Sequence, residues 1–135
     1  MNQPLKQSQK LIGAVCLAIA LSACGSNAPS NEALQTAFAD ARSGVWIQAS
    51  GEVVRQLGST GAEQRFQVRI DEELTIILLR DTQAAAPVQA ESGDRISFQG
   101  RYDFHGGGGT VSQTHPDASQ PSGGGWIEVN GVRQN

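Results

Sequence analysis

Two sets of side chains in this 135-residue chain have the types and spacing to do chemistry. Arg65, Gln67 and Arg69 alternate with apolar residues, and so do Arg95, Gln99 and Arg101. Alternation at period two puts each set on one side of an extended strand. Arginine forks and glutamine amides on one sheet face fit phosphate, a sulfated or anionic sugar, or an acidic peptide segment. The competing reading is a solvated face whose arginines pair with Glu52, Glu63 or Asp103. The second set is His105, His115 and Asp117, with Asp103 near them. Imidazole and carboxylate are suitable zinc or copper ligands, although two histidines ten residues apart have no HxH or HxxxH spacing to fix them. No catalytic residue stands out, because the chain has no GxSxG elbow and no evident base with an orienting partner. No cofactor is expected: the runs at 106–109 and 123–125 precede strands rather than a helix N-terminus, and read as flexible loops instead of phosphate cradles.

A third reactive group is the thiol of Cys24. It ends the run Leu21-Ser22-Ala23-Cys24, which resembles the lipobox of bacterial lipoprotein signal peptides. Lys6 and Lys10 supply a positive start, and residues 11–21 form an apolar stretch. Eleven residues make a helix of about 16 Å, too short to cross a bilayer core of roughly 30 Å. The resemblance implies cleavage before Cys24, acylation of its sulfur, and a membrane partner met through the lipid. Gly25 in place of an aspartate implies outer-membrane sorting, with the folded part facing the periplasm.

Processing there leaves 112 residues, enough for one small domain. Both lysines leave with residues 1–23, so eight arginines face thirteen carboxylates, a formal charge of −5. An acidic chain without lysine is a poor nucleic-acid binder. With Cys16 removed and Cys24 acylated, no disulfide forms, and an apolar core alone must hold the domain.

The elements that position these groups follow from periodicity. Residues 24–31 are a lipidated cysteine and a small polar tether, and 32–135 form one domain. Ser30 or Asn31 caps a helix reaching about Ser43, with Leu34, Ala37, Phe38 and Ala41 on one face, ended by Gly44 and covering an open end of the barrel. Strands are expected over 45–57 with a bend at Gly51, around Phe66–Ile70, over 74–79 with both faces apolar, over 95–104, over 109–114 and over 126–129. Asp71 to Glu73 makes a turn, and Pro87 keeps a long helix out of 81–93. The segment from His115 to Ser122 reads as an exposed loop, and Trp46 and Trp126 as core anchors. The fold expected is mainly β: a small OB-like β-barrel of five to six strands with one short N-terminal helix.

The run from Gly44 to Gly51 (GVWIQASG), then Gln64-Arg65-Phe66, Gly93-Asp94-Arg95-Ile96, Gly100-Arg101-Tyr102, Thr114-His115, Gly124-Gly125-Trp126-Ile127 and Asn130-Gly131, resembles the small bacterial proteins called DUF3465. The resemblance covers roughly residues 34–134 and implies a single β domain without an assigned activity. Members often carry a His-Trp-Thr-His-His-Asp segment where this chain has Ser112 to Asp117, which weakens any role those histidines have elsewhere. The function expected is a lipid-anchored, non-catalytic binding module for an anionic or polar ligand. A structural envelope protein that docks other proteins is the alternative, and a metal site at the His105/His115 hairpin is the third reading.

Overall fold

The computed structural model describes residues 28–135. The expected leader, including the lipobox-like residues Leu21 to Ala23, and Cys24, the expected acylation site, lie outside the described residues. The described chain runs as helix α1 (Glu32–Ala39), then strands β1 (Val45–Thr60), β2 (Glu63–Arg69), β3 (Thr75–Asp81), β4 (Arg95–Asp103), β5 (Thr110–Ser112), β6 (Trp126–Val129) and β7 (Val132–Arg133). Among the described residues no helix is long and apolar enough to cross a membrane.

The strands pair in the order β1-β2-β3-β5-β4-β6-β7, and a further β1–β4 pairing closes the first five into a ring. β1 achieves this closure by serving two neighbours. Its first half, Val45 to Glu52, pairs with β4, and its second half, from Glu52 on, pairs with β2. The bend expected at Gly51 falls at that crossover, where a Cβ would run into the backbone of Arg69. β3 and β5 are parallel; the other neighbours are antiparallel. The architecture is the expected OB-like barrel, with the hairpin β6–β7 added beside β4.

One core fills the ring. Ile47, Ala49 and Val53 enter from β1, Phe66 and Val68 from β2, Ile76 and Leu78 from β3, and Ile96, Phe98 and Tyr102 from β4. Helix α1 adds Leu34 and Ala37, while Phe38 rests on Phe104 with ring centroids 5.7 Å apart. The helix stops four residues before the expected Ser43. Ala41 turns left-handed (φ 53°), and the amides of Ala41 and Arg42 donate to the carbonyls of Phe38 and Ala37, a Schellman closure without glycine. Asn31 does not cap the helix with its side chain. Its Oδ1 accepts the Ser50 amide at 2.8 Å and so ties the helix start to β1.

Three further expectations are corrected. β3 has apolar residues on both faces but buries only one of them: Ile76 and Leu78 point inward with Arg80, while Ile77 and Leu79 stand half-buried outside. Trp46 and Trp126 are half-buried on the barrel exterior and are not part of the core, since their strand phase opposes Ile47 and Ile127. The glycine turn after β4 is packed rather than loose. Gly108 and Gly109 are buried, and Gly109, at φ 104°, lies so close to the Tyr102 ring that no side chain fits.

The 82–94 connection has no helix and is held by side chains that imitate strand pairing. Gln64 donates to the Val88 carbonyl and accepts the Val88 amide, at 3.2 and 2.7 Å. Residues 115–125 also fold back, through a Pro116–Gly124 bridge and a Gly125 amide donated to His115 at 2.7 Å.

Candidate ligand-binding faces

Closure of the ring decides which polar side chains share a face. β2 and β4 are not neighbours: β1 separates them on one side, β3 and β5 on the other. The arginines that alternate along those two strands therefore divide among three places on the exterior.

Arg65 and Gln67 stand on the outer face of β2. Gln67 is in register with Arg55 on β1 and Ile77 on β3, and Ile77 is in register with Thr110 on β5. Arg65 is in register with Leu79. Arg65, Ile77, Leu79 and Thr110, together with Thr60, Glu63 and His105, line an open depression of about 440 Å³. Its floor is apolar (Ile77, Leu79), its walls carry hydroxyls, and Arg65 stands over it. Arg65 and Arg55 make no salt bridge among the described residues. Glu63 sits at the rim near the β1–β2 turn.

Arg69 and Arg95 flank Glu52, which is in register with both. Arg69 donates to the Glu52 carboxylate. A cavity of about 510 Å³ lies beside them, bordered also by Asp71 and Glu72, so carboxylates outnumber arginines there. Asp71 accepts Gln35 Nε2 at 2.8 Å and the amides of Glu73 and Leu74, which forms the turn expected at this point. Those donors, Gln35 first, hold its carboxyl below the usual carboxylate value.

Arg101 and Gln99 occupy the third place, on β4 between Trp46 of β1 and the β5 and β6 strands. Arg101 Nε lies 3.7 Å from Asp103 Oδ1. Gln99 is buried and donates to the Gly124 carbonyl at 2.5 Å while accepting Gln48 Nε2 at 2.7 Å.

The two histidines flank β5. His105 precedes it, accepting the Gly107 amide on Nδ1 at 3.2 Å; its Nε2 then carries the proton and donates to Thr110 Oγ1 at 3.0 Å. Both ring nitrogens are thus engaged. His115 follows β5, and its Nδ1 is buried with no partner among the described residues. Asp117 accepts the Ser119 hydroxyl and amide, which with a smaller attraction from His115 lower its pKa. Asp103 accepts the Gly44 amide at 3.0 Å. Among the described residues no three His, Cys, Asp or Glu side chains converge as a metal-holding group.

Arg80 was missed by sequence reasoning. It is fully buried, with Nε donating to the Ala86 carbonyl (2.9 Å), Nη1 to Thr114 (2.5 Å) and Nη2 to Gln134 (2.7 Å). Burial pushes its pKa down. Its phase with Ile76 and Leu78 was the available signal, as was the opposite phase of Ile77 and Leu79 for the floor of the Arg65 depression.

The family model described as "Protein of unknown function (DUF3465)" matches residues 15–135. No curated protein and no solved structure matches the chain.

Proposed function

The chain belongs to the DUF3465 family, whose function is unknown, and from that premise we propose that it is a lipid-anchored envelope protein whose barrel captures an anionic or polar ligand without catalysis. Arg65 carries the reading. It is a half-buried guanidinium with no ion-pair partner among the described residues, set over an apolar floor and beside hydroxyls. An anion with an apolar or ring-shaped part answers that combination: the fork takes the charge in paired hydrogen bonds while Ile77 and Leu79 receive the body. Arg55 and Gln67 extend the polar border along the same register row. The role is holding rather than turnover: His105 accepts the Gly107 amide on Nδ1 and so donates from Nε2 to the Thr110 hydroxyl, which leaves it no free lone pair to act as a base toward that hydroxyl.

The anchor rests on the Leu21-Ser22-Ala23-Cys24 pattern and its leader. Palmitate labelling should mark the wild type and not Cys24→Ser; label retained in the variant overturns the anchor. For the barrel, a sulfated disaccharide and inorganic phosphate are titrated into the full-length protein, with amide resonances of Ile77 and Thr110 as the readout. Shifts that saturate in the wild type and weaken about tenfold or more in Arg65→Ala support capture at this face, as loss of a charged hydrogen bond predicts. Unchanged affinity in Arg65→Ala and in Arg65→Ala/Arg101→Ala removes the proposal, and leaves docking to other envelope proteins as the reading to pursue.

A further inference from the structure

We infer a second binding site elsewhere on the barrel exterior: the outer face of β1, β4 and β6 is a platform for a neutral, acetamido-bearing saccharide chain. It stands independently of the Arg65 face and shares no residue with it.

Both tryptophans of the chain lie here. Trp46 is in register with Arg101, and Trp126 with Gln99, so the indoles flank β4 from its two sides, two residues out of step. Strand spacing and rise place their Cα atoms roughly 12 Å apart, a span suited to more than one sugar ring. Each ring is only partly buried, in a domain with seven aromatic residues and no disulfide among its described residues, so part of each indole is open to a ligand. The negative face of an indole accepts the slightly positive C–H face of a pyranose, as it accepts the edge of another aromatic ring. Arg133 covers one face of Trp126, 4.4 Å from its centroid, and is held there by Glu128, so Trp126 borders the platform with its edge while Trp46, with no cation stacked on it among the described residues, offers the ring face.

Between the two rings the polar groups are set in advance. Gln99 is locked to the Gly124 carbonyl, and Gln48 is locked to Gln99. Gln48 itself is exposed, with its carbonyl oxygen and second N–H without partners among the described residues. A primary amide held in this way matches the C=O and N–H of an acetamido group. A notch of about 140 Å³ opens beside it, bounded by Trp46, Gln48, Gln99 and the turn at Pro121 and Ser122. Ser122 is left-handed (φ 59°), so this wall is held in a conformation that a serine adopts only under constraint.

Charge selects the ligand class. Both arginines on this face have carboxylates nearby, Arg101 with Asp103 and Arg133 with Glu128. Little positive potential remains to hold a phosphate backbone, although bases could otherwise stack on the same rings.

The full-length lipoprotein in detergent is titrated with a tetramer of N-acetylglucosamine, with cellotetraose, and with an oligothymidylate of similar length, following tryptophan emission. Because both tryptophans report from this face, binding should give a saturable shift in emission, stronger for the acetamido tetramer than for cellotetraose. Gln48→Ala should weaken it about three- to tenfold, the loss of one or two neutral hydrogen bonds. Trp46→Ala should weaken it more, and Arg65→Ala should leave it unchanged. Gln48 is exposed, so that variant keeps the test valid if Trp46→Ala fails to fold. No saturable change with either saccharide, an undiminished response in Gln48→Ala, or tighter binding of the oligothymidylate overturns the inference.

Discussion

The guanidinium of Arg80 donates to the carbonyl of Thr114 at 2.5 Å, and the Thr114 hydroxyl donates back to the carbonyl of Leu79, Arg80's neighbour, at 2.6 Å. The pair stands where regular closure runs out. β3 and β5 share only two register pairs, and β5 ends at Ser112, so beyond it no backbone ladder seals that edge of β3, while β2 pairs with its other edge as far as Asp81. Arg80 and Thr114 supply that seam with side chains. The same guanidinium reaches the 82–94 connection at Ala86 and the C-terminal segment at Gln134.

Replacing this group should therefore loosen three segments together. Arg80→Met matches much of the volume but leaves three inward carbonyls without their donor, at a cost of roughly 3 kcal/mol. Arg80→Lys keeps the charge but not the fork, and should cost an intermediate amount. Thr114→Val should cost about 1 kcal/mol. Urea unfolding followed by circular dichroism checks all three through a lowered midpoint at unchanged slope. An Arg80→Met midpoint equal to wild type would show that the carbonyls find other donors.

The turn after β4 gives a second expectation. Tyr102 donates its hydroxyl to the Gly108 carbonyl at 2.7 Å, and Gly109 crosses directly over its ring. Tyr102→Phe should cost about 1 kcal/mol. Gly109→Ala meets both a left-handed φ and the ring, and should cost roughly 2 kcal/mol or more. Thermal melts in which Gly109→Ala is the milder of the two would refute this packing argument.

Glu52 is shared in register by Arg69 and Arg95, yet Glu52 and Arg69 are both largely solvated. Glu52→Gln should change stability by no more than about 0.5 kcal/mol, and the small effect should fade at 1 M salt. A large, salt-resistant loss would mean that the pair is shielded from water.

Local alternation made most strands legible: Ile96, Phe98, Gly100 and Tyr102 enter the barrel as their spacing requires. What period two does not encode is which strands become neighbours. Arg65 and Arg101 each lie on the outer side of their strands, as expected, but the β1–β4 closure carries them to different faces. Arg80 escaped notice because a charged residue at an inward phase is read as the end of a strand, and its compensation comes from carbonyls distant in sequence. The tryptophans were misplaced for the reverse reason. Their size argues for burial, while their phase, opposite to Ile47 and Ile127, puts them outside. Phase was the better guide in both cases.

Acid should weaken the domain in part through two aspartates that organise turns. Asp71 joins α1 to the β2–β3 turn through Gln35 and the amides of Glu73 and Leu74. Asp94 accepts the Glu91 amide and Asn130 Nδ2, which links the start of β4 to the β6–β7 turn. Their hydrogen bonds lower both pKa values in the folded state, led by Gln35 for Asp71 and the Glu91 amide for Asp94. A carboxyl with a depressed folded pKa adds stability that is complete above its unfolded value of about 3.9 and disappears as pH falls through the folded value. Stability should consequently be flat from pH 7 to about pH 5 with respect to these groups, then fall at lower pH. Asp71→Asn preserves the turn geometry but cannot titrate, so it should be less stable than wild type at pH 7 and should flatten the acid slope; Asp71→Asn/Asp94→Asn should flatten it further. Urea midpoints measured from pH 7 to pH 2 test this directly, and an acid slope unchanged in the double variant would assign the acid sensitivity to other carboxylates.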